Sequence, residues 1–391
     1  MSEIIVSGMG VINAIGYNVD SFWESLQANR NGLIKLEELP DPISNLKVRA
    51  GAIPSDHIHT TSQSSTYEKA TQILFHSIME SLEDAGLSGK DLSTKKVGIC
   101  IGTTMGEITP LENQIKYGKS VHKGGPGILL RNIRELLHID GPSWVLTNAC
   151  AAGNIAIAKG IDELKLHRAD LMIVCGVDVL SSVAFWGFNS LKAMSSDYCK
   201  PFDGKRNGMI LGEGSGAIIL EKKEAHKARS HIPPKAQLLG YGISSDGYHV
   251  TQPDPKALGA SRVMELSLNM GSIHKEKIDY ICAHGTGTPA NDAMESVAIN
   301  KVFAERTNQI EVSSIKGNIG HTLGAASVIE AISTIKTIQT GEIPINFQTS
   351  EPGEDIQLNL VIKKNKKKAV NYALSNAYAF GGVNSSLLIG R

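Results

Sequence analysis

Val145-Leu146-Thr147-Asn148-Ala149-Cys150-Ala151-Ala152-Gly153-Asn154-Ile155-Ala156-Ile157-Ala158 reads as a strand that breaks into a helix at a cysteine. The apolar run ends, small residues surround Cys150, and a segment of helical period follows. Small neighbours permit a sharp turn that leaves the thiol at a helix N-terminus. Free backbone N–H groups and the positive dipole end stabilise a thiolate there. The same N–H groups stabilise an oxyanion on an attacked thioester. The pattern fits equally well a small, buried, apolar cysteine, which is the reading that suits Cys100, Cys175 and Cys282.

Working outward, the same alternation fills the chain. Short β-rich runs fall at 4–11, 97–101, 171–174, 217–220, 237–243, 278–283 and 386–389, with helical periodicity at 68–85, 154–166 and 325–339. Strands alternating with helices predict an α/β protein with largely parallel sheets. Val6-Ser7-Gly8-Met9-Gly10-Val11 is echoed by Leu238-Leu239-Gly240-Tyr241-Gly242-Ile243. The echo suggests two related halves, 1–230 and 231–391, joined through a charged, Pro-containing segment at about 222–236. A strand followed by G-x-G is also a common turn, so the echo alone does not decide this.

The chain has 391 residues, 41% hydrophobic and 20% charged, with 39 basic and 39 acidic side chains. That balance favours neither nucleic acid nor a membrane surface. No run of about 18 apolar residues predicts a membrane span. The start, Met1-Ser2-Glu3-Ile4-Ile5-Val6, reads as a first strand rather than a leader. Five cysteines without CxxC spacing argue against a disulfide framework or a zinc site and suit a reducing cytoplasm. The run Lys363-Lys364-Asn365-Lys366-Lys367-Lys368 reads as a solvated hairpin or loop or, more sharply, as a docking patch for an acidic partner.

Two further segments carry chemistry. His284-Gly285-Thr286-Gly287-Thr288-Pro289 follows an apolar strand, where parallel α/β sheets place their sites. It lacks the Gly-Lys-Ser/Thr ending of a nucleotide P-loop. Ser314-Ile315-Lys316-Gly317-Asn318-Ile319-Gly320-His321 is again a short strand, a Gly-rich loop and a histidine, before a small-residue helix. Two such histidines with one elbow-like cysteine match the general pattern of acyl transfer.

Together these segments resemble the β-ketoacyl-[acyl-carrier-protein] synthases of the thiolase superfamily. Pro201-Phe202-Asp203-Gly204-Lys205-Arg206-Asn207-Gly208, Gly212-Glu213-Gly214-Ser215-Gly216 and Asn376-Ala377-Tyr378-Ala379-Phe380-Gly381-Gly382-Val383-Asn384 carry the likeness across nearly the whole chain. The resemblance implies a thiolase-like fold of two βαβ-rich halves in five αβαβα layers. It implies a Cys-His-His site in which Cys150 accepts the acyl chain and His284 and His321 promote malonyl decarboxylation. By the same likeness Phe380 is an aromatic gate and, through its N–H with that of Cys150, an oxyanion donor. Thr286 and Thr288 match the hydroxyls that hold phosphopantetheine, and Lys316 and Glu330 a supporting charged pair; Glu330 also reads as a helix-surface carboxylate. Met105 falls where the family lines its acyl pocket. No cofactor and no metal are implied beyond the carrier-bound substrates. The implied partners are an acyl carrier protein and a second subunit, either identical or like a chain-length factor.

The two histidines separate this pattern from thiolases, which use a late second cysteine, and from initiating synthases, which have Asn at the position of His321. The competing readings are a non-catalytic, chain-length-factor-like subunit and a CoA-dependent thiolase or acyltransferase. Asn148, Tyr378 and Ala379 depart from the fatty-acid enzymes, where Tyr378 and Ala379 are usually Phe and Gly. Residues 60–66 are neutral where those enzymes often carry Lys and Arg for docking a carrier protein. These departures suggest a specialised polyketide or polyene assembly line.

Overall fold

A computed structural model describes residues 3–35, 49–58, 62–118 and 124–391. Among them, ten strands form one continuous sheet. They are β1 (Ile4–Asn13), β2 (Val97–Gly102), β3 (Ser143–Leu146), β4 (Leu171–Asp178), β5 (Gly214–Lys222), β6 (Ala236–Ser245), β7 (Tyr280–Cys282), β8 (Glu311–Ser313), β9 (Tyr372–Tyr378) and β10 (Val383–Gly390). The spatial order is β8-β7-β9-β10-β6-β1-β5-β4-β2-β3. Taken from each outer edge, β3-β2-β4-β5-β1 and β8-β7-β9-β10-β6 are the same order offset by five strands. The first three of each set pair in parallel, and the fourth runs antiparallel to both neighbours. The halves meet where Ile4–Val6 pairs antiparallel with Ala236–Leu238.

Helices α1 (Lys69–Asp84) and α2 (Pro126–Leu137) cover the outside of the first half. Helices α4 (Leu258–Gly271) and α5 (Pro289–Phe303) cover the outside of the second. Between the halves lie α3 (Ala152–Lys165) and α6 (Ala326–Thr340). The period of two along each strand explains the five layers. On β4, Met172 and Val174 face the central helices, whereas Leu171, Ile173, Cys175 and Val177 join α1 and α2. On β7, Tyr280 and Cys282 face inward and Ile281 packs with α4 and α5. Both faces of the central strands are therefore apolar, and they read as continuous hydrophobic runs.

The glycine echo has a steric cause. A Cβ on Gly8 would sit 2.1 Å from the Ser81 carbonyl oxygen of α1, and one on Gly10 2.0 Å from that of Ser77. On Gly240 and Gly242 it would sit 2.3 Å from Ser267 O and 2.1 Å from Val263 O of α4. Each half thus presses its first strand against one outer helix, through two glycines and two carbonyls one helical turn apart.

Sequence and fold differ in places. The sheet is mixed rather than largely parallel, because β10 returns from β9 through the tight 379–382 turn and β5 also reverses direction. Strand β9 gives little sequence signal because its buried residues include Ala, Ser and Asn. The junction between the halves contains a short helix, Lys223–Arg229. Lys366–Lys367 pairs with Glu342–Ile343 across a long connection rather than within a hairpin, and the lysines of this run meet Glu311 and Glu342. In the neutral stretch at 60–66, Thr60 and Thr61 lie outside the described residues.

If the paired glycines do the same work in both halves, Gly10→Ala and Gly242→Ala should each destabilise by about 1–3 kcal/mol in denaturant unfolding. Gly89→Ala, where a Cβ meets nothing within 4 Å, should stay within about 0.5 kcal/mol of the parent.

Candidate active site

Cys150 lies between β3 and α3 in a single 3-10 turn, Ala149–Ala151. The turn is made by Ala149 at φ 48°, a left-handed conformation that a small side chain tolerates best. The second half builds the same device. Leu323, at φ 50°, opens the 3-10 turn Leu323–Ala325, and α6 follows directly. The cysteine elbow and the His321 loop are therefore equivalent turns of the two halves. Both lead from the third strand of a half into a central helix, and the two central helices pack together. This brings Cys150 and His321 into contact although 171 residues separate them.

His321 Nε2 lies 2.9 Å from Cys150 Sγ. The Leu323 N–H donates to His321 Nδ1 at 3.2 Å. An Nδ1 that accepts carries no proton, so the neutral ring holds its proton on Nε2 and presents it toward the sulfur. His284 follows β7, and its ring stands edge-on to that of His321 at 5.3 Å. The Lys316 ammonium donates to the His284 carbonyl oxygen at 2.6 Å and lies 3.3 Å from His284 Nδ1. His284 is thereby also held with its proton on Nε2. Lys316 is ion-paired with Glu330 of α6, and both are buried. Glu330 is no helix-surface carboxylate.

Burial holds both imidazoles well below their ordinary range, and the nearby Lys316 charge adds to this. Burial also pushes the Cys150 thiol up to about 12, against the pull of Lys316. Enclosing the sulfur thus opposes the thiolate that a helix terminus favours. Cys100, Cys175 and Cys282 are buried in strands, and Cys199 donates to the Thr286 carbonyl at 3.2 Å.

The sulfur and imidazole nitrogens lie within 4.8 Å of one another. Such a trio also suits zinc in principle. A metal-bound imidazole, however, normally donates its other N–H to an acceptor. Here both Nδ1 atoms face donors, so both Nε2 atoms keep their protons. The trio is built as hydrogen-bond donors around a thiol.

These groups open onto a narrow cleft that Thr286, Thr288, Phe380 and Tyr378 also line. Thr286 and Thr288 share a hydroxyl–hydroxyl bond of 2.9 Å. Phe380 packs on Phe188 at 5.7 Å between ring centres. Among the described residues, the backbone N–H groups of Cys150 and Phe380 donate to no other residue. Met105 is set back from the cleft in an apolar cluster shared with Phe185, Met209, Leu323 and Phe380.

Two buried acids escaped the sequence reading. Glu295 accepts the N–H groups of His284 and Gly285 at 2.9 and 2.8 Å, and burial pushes its carboxyl up to about 8. Asp178, at the end of β4, accepts from Thr103 Oγ1 and from the N–H groups of Thr104, Met105 and Gly324. It ties the Met105 turn to the turn beside His321. Their only sequence signal is an acid next to an apolar run.

Nitrogen-15 NMR of labelled histidine should find Nδ1 of both rings unprotonated from pH 8 to below 6.5. A midpoint near the ordinary value of about 6.5 at either ring would contradict the assignment. The unfolded chain takes up these two protons first as pH falls. Stability should therefore decline below that pH through this pair.

The described chain is similar to known proteins along most of its length. The family Beta-ketoacyl synthase, N-terminal domain, matches residues 1–226, and its C-terminal domain matches 235–350. Nodulation protein E of Rhizobium meliloti is 30% identical over 98% of each chain. The 3-oxoacyl-[acyl-carrier-protein] synthase 2 of Coxiella burnetii is 28% identical over 100% of this chain and 98% of its own. Among solved structures, the ishigamide ketosynthase/chain length factor superposes with a TM-score of 0.91 at 30% identity, covering 100% of this chain and 99% of that one.

Proposed function

The chain belongs to the β-ketoacyl synthase family and is a thiolase-fold condensing enzyme that forms 3-ketoacyl thioesters, and from that premise we propose how its residues divide the reaction. The observation that carries the assignment is a buried thiol and two imidazoles, each with one atom inside 4.8 Å of the other two. In the first half-reaction Cys150 Sγ attacks an acyl thioester on a carrier protein. The S–C bond to Cys150 forms, the carrier thiolate leaves, and it takes the proton that the sulfur gives up. In the second, malonyl-carrier protein loses CO2, and the bonding pair moves into an enolate. The Nε2–H groups of His284 and His321 hold its oxygen. The enolate carbon attacks the acyl carbonyl on Cys150, with the free N–H groups of Cys150 and Phe380 receiving the tetrahedral oxyanion. Collapse breaks the C–S bond, releases the 3-ketoacyl carrier, and returns Cys150 to its thiol with one proton from water.

The remaining residues support these steps. Thr286 and Thr288 hold the phosphopantetheine arm, Phe380 gates the acyl side, and Met105 bounds the acyl pocket. Lys316 and Glu330 fix the histidine loops. The substrates arrive on their own phosphopantetheine, and the residues call for no further cofactor. The two units are 1–230, with the nucleophile, and 231–391, with both histidines; the repeated strand order supports this division. Five free cysteines fit a reducing, cytoplasmic setting. Among the described residues, no helix is long and apolar enough to cross a membrane.

The second subunit docks on the β3 edge of the sheet. An edge strand offers unpaired backbone groups. Here it carries exposed Trp144, and the Thr109–Tyr117 and Ser182–Ser190 helices, linked by the Val183–Glu112 bond, expose Ile115, Tyr117, Val183 and Trp186. An identical copy or a chain-length-factor-like partner fits this face. The likeness to the ishigamide ketosynthase/chain length factor favours the second.

The carrier protein docks beside the cleft mouth. Gln252 and Pro253 line both the cleft and an adjoining shelf formed with Tyr248, Pro255, Ala293 and Val297. The Lys301 ammonium donates to the Lys256 carbonyl at this shelf, so two exposed cations flank an apolar surface. That arrangement suits an acidic helix with an apolar face.

Intact mass and CO2 release separate the half-reactions. Cys150→Ala should form no acyl adduct. His321→Ala should still be acylated but release CO2 about 100-fold more slowly; equal loss of both steps would contradict the roles. Val297→Glu and Lys301→Glu should raise KM for the acyl carrier protein by about 3- to 10-fold. Neither should alter kcat/KM for a free acyl-pantetheine thioester. A matching loss on the free thioester would place the docking surface elsewhere.

A further inference from the structure

Tyr378 ends β9 beside the catalytic trio, and its hydroxyl has no role in the mechanism above. The side chain is 5% exposed. Its ring stands edge-on to that of His284, 5.9 Å between centres at 81°. It lines the cleft with Cys150, His284, Thr286 and Thr288. Yet its hydroxyl is buried with no hydrogen-bond partner among the described residues. Leaving a buried hydroxyl unsatisfied destabilises the fold. Phenylalanine would fill the same ring volume at no such cost. A tyrosine kept here without an internal partner points to one that arrives from outside.

The surroundings limit what that partner is. Burial holds the phenol well above its ordinary range, and Glu295 and Asp246 act in the same direction. The group is a neutral donor. Burial likewise disfavours an anionic ligand beside it. Thr286 and Thr288 are bonded to each other, and the histidine Nε2–H groups face the reacting thioester. A neutral carbonyl oxygen is the complementary acceptor. The thioester and amides of the pantetheine arm are neutral carbonyls that the condensing reaction brings into this cleft.

We propose that Tyr378 contacts the substrate, its O–H donating to a carbonyl oxygen of the pantetheine-bound chain. This rests on the condensing reading and adds a contact to it. The contact places the arm against the His284 side of the cleft. It accounts for a polar ring at a position where packing asks only for an apolar one.

Tyr378→Phe removes one oxygen and leaves the shape. Its thermal midpoint should stay or rise, since an unpaired buried hydroxyl is gone. Its kcat/KM should nevertheless fall about 5- to 10-fold, the worth of one neutral hydrogen bond. Acyl-pantetheine and acyl-N-acetylcysteamine thioesters locate the acceptor. Loss with both places it at the thioester or the first amide; loss with pantetheine alone places it at the far amide. Unchanged kinetics on both, with the variant merely more stable, would overturn the proposal. So would a fall in stability that accounts for the lost activity. Pantetheine alone gives a readout independent of turnover. It should raise the thermal midpoint of the parent more than that of Tyr378→Phe. Equal shifts would overturn the contact even if no turnover were found, whereas absence of a Cys150 adduct in the parent would sink the condensing roles.

Discussion

One buried cation holds the site together. The Lys316 ammonium bonds to Glu330 on a central helix and to the carbonyl of His284 at the end of β7. Lys316 itself begins the short turn that leads to His321. Three elements from different parts of the second half are thus fixed around one charge. A buried ion pair gives little net stability against a well-packed apolar pair, and losing one partner costs about 3–5 kcal/mol. Its value here is positional and electrostatic. The charge adds to burial in keeping both imidazoles neutral, which leaves their protons available to a developing enolate. The same cation opposes the burial of the Cys150 thiol without overcoming it.

The second constraint is duplication. Each half folds the same five-strand order and turns from its third strand into a central helix through a left-handed residue, Ala149 or Leu323. In the first half the turn presents Cys150. In the second, Leu323 turns its N–H back onto His321. The proposed reaction site therefore lies where the halves meet. The tight helix contacts at Gly8 and Gly10, and at Gly240 and Gly242, set the frame from outside.

Much of this was legible in the sequence, because a reactive group at a strand end must sit among small residues and glycines. Cys150, His284 and His321 each announce themselves in that way, and Lys316 and Glu330 follow from the resemblance. Asp178 and Glu295 did not show, since their partners are backbone N–H groups brought close only by folding. The strand directions were misjudged for a related reason: apolar runs give period and burial but not polarity of pairing. The helix terminus beside Cys150 is legible in the sequence, but the enclosure of its sulfur is not. The Gly-x-Gly echo pointed to two related halves, but its steric cause appears only with the facing helix carbonyls.

The central claim is that Lys316 serves the decarboxylating histidines rather than the nucleophile. The direct test is Lys316→Met paired with Glu330→Leu, which avoids leaving a buried charge alone. Cys150 acylation is followed by intact mass and CO2 release from malonyl-carrier protein is measured on the same preparation. The account predicts a normal acyl adduct with CO2 release slowed about 100-fold. CO2 release at the parent rate from a folded, acylated double variant would contradict it.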